Sequence, residues 1–376
     1  MSRPTRQDLR EQWTLAVPLA LGHMAQHAMQ LVDTALLGRY SEPALAGASI
    51  GGGMLFTVMV LGMGIILGMD ALVPQAIGAG EHARARRILW QGLRLAVIVG
   101  LPLMAVAAAT TLLLPLMGVQ SEVAAEARAF IFGRMPSMVP FLLFASMRSY
   151  LQARGVTRPV VVAAIIGNIV NGLADWILIF GDGGLHDFGL PGIGLPPLGA
   201  LGAALATSTV TCISVLYLAL AVRALEVPGA PSRAELRARD PEVMRRIVRV
   251  GLPIGLHLMA EVGVFALTAM LAGRMGKTPG AAHGIAITWA SMTFSVVIGL
   301  GAATAVRVGR AVGAADVPGT RRAGVTGLYF GLIFMSGAAI LMLAIPEQLA
   351  GAFTSDPDLI AAAVPLLRIA AVFQLS

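Results

Sequence analysis

The chain has 376 residues, 57% of them hydrophobic and only 12% charged, with 44 glycines and a mean hydropathy of +0.79. Soluble domains carry about 25% charged residues, so this composition excludes a water-covered globule and points to an integral membrane protein. The net charge of +7 would by itself suggest a polyanionic partner, and the single cysteine, Cys212, rules out an internal disulfide framework or a cysteine-based metal site.

MSRPTRQDLREQW runs into an apolar segment without a small-residue cleavage site, so the N-terminus opens a first spanning helix and not a removable signal peptide. Segments able to cross roughly 30 Å of hydrocarbon fall at 13–37, 44–69, 88–114, 129–151, 159–180, 198–222, 247–272, 281–305 and 323–345. A tenth starts near Leu359, and the chain stops inside it at Ser376, giving about 9.5 spans. With the N-terminus inside, the inner connections hold 19 Lys or Arg residues and the outer ones four, namely Arg39, Arg128, Arg274 and Lys277. That alternation is a positive-inside signature. It accounts for the basic charge without nucleic acid and predicts a multi-pass protein of an inner or plasma membrane with a cytoplasmic N-terminus.

LAVPLALGHMAQ from Leu15 is echoed by VGLPIGLHLMAE from Val250. The offset of 235 residues holds for the pairs Pro18 and Pro253, Arg39 and Arg274, Gly78 and Gly313, and Arg87 and Arg322. An ungapped match of Pro, Gly and Arg over that length implies a duplication. Six spans separate the copies, so both have the same orientation, related by an axis along the membrane normal. The expected fold is all-α and integral to the membrane, with two pseudo-symmetric six-helix bundles. Residues 1–225 form an N-lobe, 226–246 a polar cytoplasmic linker, and 247–376 an incomplete C-lobe. By the offset, an intact relative has twelve helices in about 460 residues.

Asp33, Asp175 and Glu261 stand out as acids within apolar spans. A buried carboxylate costs several kcal/mol even after relaxation, so such groups face cavities and mark ion or proton pathways. Gln26, Gln30 and Asp33 fall on one helical face, as do Asn168, Asn171 and Asp175. Carboxylate and amide oxygens suit a hard cation such as sodium, although the same residues also serve as hydrogen-bonding glue between membrane helices. His257 lies one turn before Glu261 and is a candidate for the cavity or for helix packing. Pro18 and Pro253 remove backbone hydrogen bonds early in their helices and are candidate hinges. Methionines 24, 29, 54, 59, 63 and 69 on the first two spans either line an adaptable cavity or fill lipid and core contacts. Arg134, inside the fourth span, needs a partner that the sequence does not name. No ATP-binding, HExxH, GxSxG or CxxC pattern occurs, so an enzyme or an ATP-driven pump is not expected.

QLVDTALLGRYSEPALAGASIG, PQAIGAGEHARARR and GLPIGLHLMAEVGVFALTAMLAGRMG, with the twofold repeat and the long linker, resemble the multidrug and toxic compound extrusion family, the MATE transporters. The acid at Glu261 is similar to the branch of sodium-coupled bacterial drug exporters. The resemblance implies antiport by alternating access, with amphipathic or cationic organic compounds leaving in exchange for Na+ or H+. It implies that Asp33, Asn171 and Asp175 form an N-lobe site for a cation or proton. It implies a C-lobe site at Glu261, whose aspartate partner would follow Ser376. No cofactor and no resident metal beyond a transported sodium ion are expected, and the partners are a small-molecule substrate and the bilayer, with a monomeric chain. The alternative is a flippase for lipids or polysaccharide precursors on a related two-bundle frame. Such a cavity needs cations for phosphate, and only Arg94, Arg134, Arg148 and Arg368 lie inside spans.

Overall fold

The computed structural model describes residues 5–226 and 232–374, and these form sixteen α-helices without a strand. In chain order they are α1 (Arg6–Tyr40), α2 (Glu42–Leu67), α3 (Met69–Gly78), α4 (His82–Thr110), α5 (Leu113–Leu116), α6 (Ser121–Arg134), α7 (Met138–Ala153), α8 (Arg158–Phe180), α9 (Asp182–Asp187) and α10 (Gly199–Ala224). After them come α11 (Arg233–Arg237), α12 (Pro241–Arg274), α13 (Lys277–Gly313), α14 (Val317–Ala344), α15 (Pro346–Gly351) and α16 (Pro357–Phe373). An all-helical build is what hydrocarbon demands, because every backbone N–H and C=O must be satisfied within its own segment.

Among the described residues, eight stretches are long and apolar enough to cross a membrane. The 35 residues of α1 also suffice in length, but His23, Gln26, His27, Gln30 and Asp33 lower its hydropathy, and α1 is not one of the eight. The expected fourth span is broken: α6 and α7 meet at a 3-10 turn, Met135–Ser137, where Pro136 lacks the N–H that would continue the helix. Pro18 and Pro253 sit in the interiors of α1 and α12, not in their first turns.

Two compact units emerge: Ala25–Met259, and Met1–Met24 together with Ala260–Ser376. Their boundaries fall inside α1 and α12 and not at the linker. Residues 227–231 of that linker lie outside the described residues. Its remainder is ordered by a capping box, Ser232 with Glu235. The side chain of Gln91 on α4 donates to Ala238 O at 2.9 Å and accepts from Asp240 N at 3.2 Å.

In the larger unit, Met69, Leu89, Tyr150 and Leu151 are fully buried where α3, α4 and α7 meet. Lipid tails are as apolar as leucine, so tight packing and internal polar contacts hold membrane helices together. The α2–α12 crossing shows the consequence. A Cβ at Gly64 would land on the Gly255 backbone, and one at Gly251 on the Ile65 carbonyl. Gly251→Val is therefore expected to force the helices apart and cost about 3 kcal/mol or more, at the upper end of overpacking penalties. Thermal unfolding in detergent checks this, and an unchanged midpoint would contradict the close crossing.

In the smaller unit, α13, α14 and α16 pack around Ala282, Met342, Leu367 and Ala371. The start of α1 joins them through polar contacts. Fully buried Gln12 donates to Leu300 O at 3.2 Å and Thr304 Oγ1 at 2.9 Å. Arg307 Nη2 meets Asp8 Oδ1 at 2.7 Å. These bonds place the first turns of α1 with the second sequence repeat.

Candidate functional site

Four helices of the larger unit converge on a buried polar cluster. Small residues permit the approach. A Cβ at Gly202 of α10 would crowd the Leu178 carbonyl of α8, and one at Gly133 of α6 would lie 2.7 Å from Ala204 Cβ on α10. Ser208 of α10 donates to Gly133 O at 2.7 Å, which fixes the end of α6 where Arg134 projects.

Asp33 of α1, Asn171 and Asp175 of α8 and Thr207 of α10 meet at this level. Asn171 Nδ2 donates to Asp33 Oδ1 at 2.8 Å and also to Asp175 Oδ2. The Thr207 hydroxyl reaches Asp33 Oδ2 at 3.4 Å and the Ala203 carbonyl of its own helix at 3.0 Å. Asn171 and Asp175 have 0% exposure. Asn171 Nδ2 thus bridges the two carboxylates, and Arg134 interacts electrostatically with both. Asn171 Oδ1 and Asp175 Oδ1 are buried acceptors without a hydrogen bond among the described residues, and Arg134 Nη1 is a donor in the same condition. Two carboxylates that share one amide donor, one of them fully buried, repel each other when both are charged unless a positive charge lies nearby. The arrangement is thus suited to taking up and releasing a proton or a small cation.

Of the residues singled out by sequence, Asp33, Asn171 and Asp175 are brought together. Asn168 is not: its Nδ2 donates to Ala164 O at 2.8 Å on its own helix. Gln26 is half-buried and Gln30 exposed, and among the described residues no hydrogen bond joins either to the cluster. On α12, His257 is exposed and Glu261 half-buried, and Glu261 makes no ion pair among the described residues. Met59 and Met69 are buried in the packed core, whereas Met24 is exposed.

Two participants were not assigned from sequence. Thr207 gave no signal, because a threonine in an apolar helix usually satisfies itself on its own backbone. Arg134 was noticed without a partner, and it interacts electrostatically with Asp33 and Asp175 without an ion pair to either among the described residues. A third group, Asp70, is a further acid in an apolar stretch, Glu42–Gly78. It was missed because the break at Gly68, which ends α2 and starts α3, carries the apolar run past the expected end of the second span. Asp70 interacts electrostatically with Arg148 of α7.

The sequence profile of the MatE family matches residues 18–177 and again 253–376. The chain is 30% identical over 361 residues to the multidrug resistance protein NorM of Vibrio cholerae, covering 96% of this chain and 77% of that protein. It is 29% identical over 375 residues to NorM of Photobacterium profundum, covering 99% and 79%. Among solved structures, an outward-facing multidrug resistance MATE family transporter of the MOP superfamily superposes with a TM-score of 0.82 at 20% identity, covering 100% of this chain and 82% of that one. A MOP superfamily transporter from Pyrococcus furiosus gives 0.84 at 19% identity, with the same coverage. The two profile matches start at Pro18 and Pro253, equivalent positions of the internal repeat, and with the near-complete coverage by NorM relatives they establish that the chain belongs to the MatE family of membrane transporters.

Proposed function

We propose that this protein is a secondary active antiporter that exports amphipathic or cationic organic compounds in exchange for an inward-moving sodium ion or proton, by alternating access. The observation that carries the reading is the Asp33–Asn171–Asp175 cluster, a pair of carboxylates linked by one amide, Asp33 half-buried and Asp175 fully buried. Neutralising such a pair changes the hydrogen bonds between α1 and α8, so uptake of the coupling ion has a direct mechanical consequence for α1. The NorM relatives carry the name multidrug resistance protein, which supports a chemically broad cargo. A flippase for lipid-linked phosphates fits less well, because the acids outnumber the arginine in this cluster.

The same reading places the N-terminus on the cytoplasmic side, by the 19 inner Lys and Arg residues, and gives the chain a role as a monomer. Glu261 of α12 supplies a second point of ion contact. Glu261→Gln is expected to slow gradient-driven efflux of a cationic dye from proteoliposomes by about tenfold or more, the worth of a hydrogen bond to a charged group. Efflux unchanged from wild type would remove Glu261 from the cycle. Loss of efflux in every preparation, under both sodium and pH gradients, would overturn the export reading itself.

A further inference from the structure

On the side of the Arg-rich connections, three helix ends of the larger unit meet: the start of α4, the end of α7 and the end of α10. Arg86 of α4 donates from Nη1 to Val222 O of α10 at 2.9 Å, and its guanidinium carbon lies 5.4 Å from the ring centroid of fully buried Tyr150 on α7. Arg154, which follows α7, donates from Nη2 to Glu226 O at 3.4 Å, just past α10. Its Nη1 lies 3.1 Å from Nδ1 of His82, the first residue of α4. An arginine only donates, so the histidine nitrogen is the acceptor. Both arginines are half-buried, and Arg223, which follows Val222 in the last turn of α10, is exposed.

No partner of Arg86 or Arg154 carries a negative charge. The contacts are two carbonyls, a phenol ring and an imidazole nitrogen, and among the described residues neither arginine has a carboxylate within ion-pair distance. Glu81, next to His82 in the chain, pairs with Arg84 at 2.7 Å, and the Glu226 side chain is exposed. Closing the end of α10 does not by itself call for this charge, because Val222 O already accepts from Leu225 N at 3.3 Å. The hydrogen bonds above use one of the five N–H donors of Arg86 and two of those of Arg154. Two half-buried guanidiniums with donors to spare and no counter-charge suit a phosphate, which accepts N–H donors in pairs and brings the missing negative charge. On α10, Ile213, Leu216 and Leu220 are exposed at helical spacing, and Arg223 continues the same face. An aliphatic stripe that ends in an arginine accommodates an acyl chain beneath its head group.

We propose that Arg86, Arg154 and Arg223 form a site for the phosphate of an anionic phospholipid, seated on the ends of α4, α7 and α10 with an acyl chain along the α10 stripe. Under the topology argued above, this lipid belongs to the cytoplasmic leaflet, where basic pockets between spanning helices attract anionic head groups. The phosphate joins three helix ends, so the bound lipid stabilises the folded chain.

The test is thermal unfolding of the purified full chain in a neutral detergent, titrated with phosphatidylglycerol, phosphatidylcholine or inorganic phosphate. A ligand that binds only the folded state raises the midpoint by linkage. Phosphatidylglycerol is expected to raise it saturably, and the other two to have no comparable effect at matched concentration. Arg86→Gln combined with Arg154→Gln should need at least about tenfold more phosphatidylglycerol for the same rise, at about 1 kcal/mol for each arginine near the head groups. Arg245→Gln combined with Arg246→Gln removes two exposed arginines of α12 and should match wild type. An equal response to phosphatidylcholine would show that any lipid coat suffices, and an equal response to inorganic phosphate that a free anion does. Equal losses in the two double variants would show that diffuse surface charge is responsible. Each of these results would overturn the proposal. If the Arg86 and Arg154 double variant does not fold, Arg223→Gln, whose side chain is exposed, decides: an affinity about fivefold lower supports the site, and an unchanged one overturns it. The readout is lipid binding, so the outcome does not depend on gradient-driven export.

Discussion

Asp33→Asn is expected to reduce gradient-driven dye efflux from proteoliposomes to the level of protein-free vesicles, a loss of at least about a hundredfold. The substitution is isosteric: the amide oxygen can still accept from Asn171 Nδ2 in place of the 2.8 Å bond, and the new NH2 can donate to the Thr207 hydroxyl, which already donates to Ala203 O, in place of the 3.4 Å contact, so α1 keeps its place. On the proposed ion-coupled cycle, what is lost is the charge that would recruit the coupling ion. Three kcal/mol of electrostatic attraction, about the upper end for a hydrogen bond to a charged group, already corresponds to more than a hundredfold at about 1.4 kcal/mol per tenfold. Thr207→Val provides the contrast. It removes one long neutral-to-charged contact from a hydroxyl that also bonds its own helix, so efflux should fall only about two- to tenfold. Initial rates normalised to reconstituted protein distinguish the two. Equal losses in both variants would mean that the cluster holds helices together without handling an ion.

Arg307→Met is expected to lower the stability of the smaller unit by about 2 to 3 kcal/mol. Arg307 is 8% exposed, and its guanidinium meets Asp8 at 2.7 Å, Glu11 at 3.6 Å and Gln12 Oε1 at 3.4 Å. Breaking a buried pair leaves an uncompensated charge and costs about 3 to 5 kcal/mol. The lower figure applies here because Asp8 keeps two bonds from Thr5, at 2.9 Å from the backbone N–H and 2.7 Å from the hydroxyl, and lies at a helix end. The pH dependence gives the sign. Burial pushes the Asp8 carboxyl up, but the Thr5 hydrogen bonds and the Arg307 guanidinium outweigh it and hold the group below its ordinary value. A depressed carboxylate contributes its stability above the unfolded value, about 3.9, and loses it as pH falls through the folded value. The difference in unfolding midpoint between wild type and Arg307→Met should therefore be full at neutral pH and shrink below about pH 4. A difference that stays constant across that range would assign the effect to lost packing of the arginine stem.

The spans were legible because hydrocarbon enforces length and composition together, and the polar residues that violate the pattern were legible for the same reason. Asp33, Asn171 and Asp175 are conspicuous against apolar neighbours at helical spacing, and the structure joins them. Asn168 has the same spacing and fails the test, because an asparagine can bond the carbonyl four residues back, as it does at Ala164, and the periodic pattern cannot show which way the amide turns. Thr207 is silent for a related reason: its hydroxyl is satisfied in any helix. Asp70 was hidden by continuity, since the turn at Gly68 interrupts the helix without interrupting the apolar composition. The assignment of the first turns of α1 was illegible for a different reason. Asp8 and Gln12 look like a solvated flank in sequence, and only the partners 292 and 299 residues away, Thr304 and Arg307, show that they are an internal contact. Long-range pairing of polar side chains has no local signature, whereas the duplication at a constant offset of 235 residues does.

The most direct measurement is efflux of a cationic dye from proteoliposomes holding the wild-type protein, with an inward sodium gradient or an inward proton gradient imposed separately and then collapsed with an ionophore. Ion-coupled antiport predicts that at least one gradient accelerates efflux and that its collapse returns the rate to that of protein-free vesicles. Well-folded protein whose vesicles release dye at the same rate with either gradient present or collapsed would contradict it.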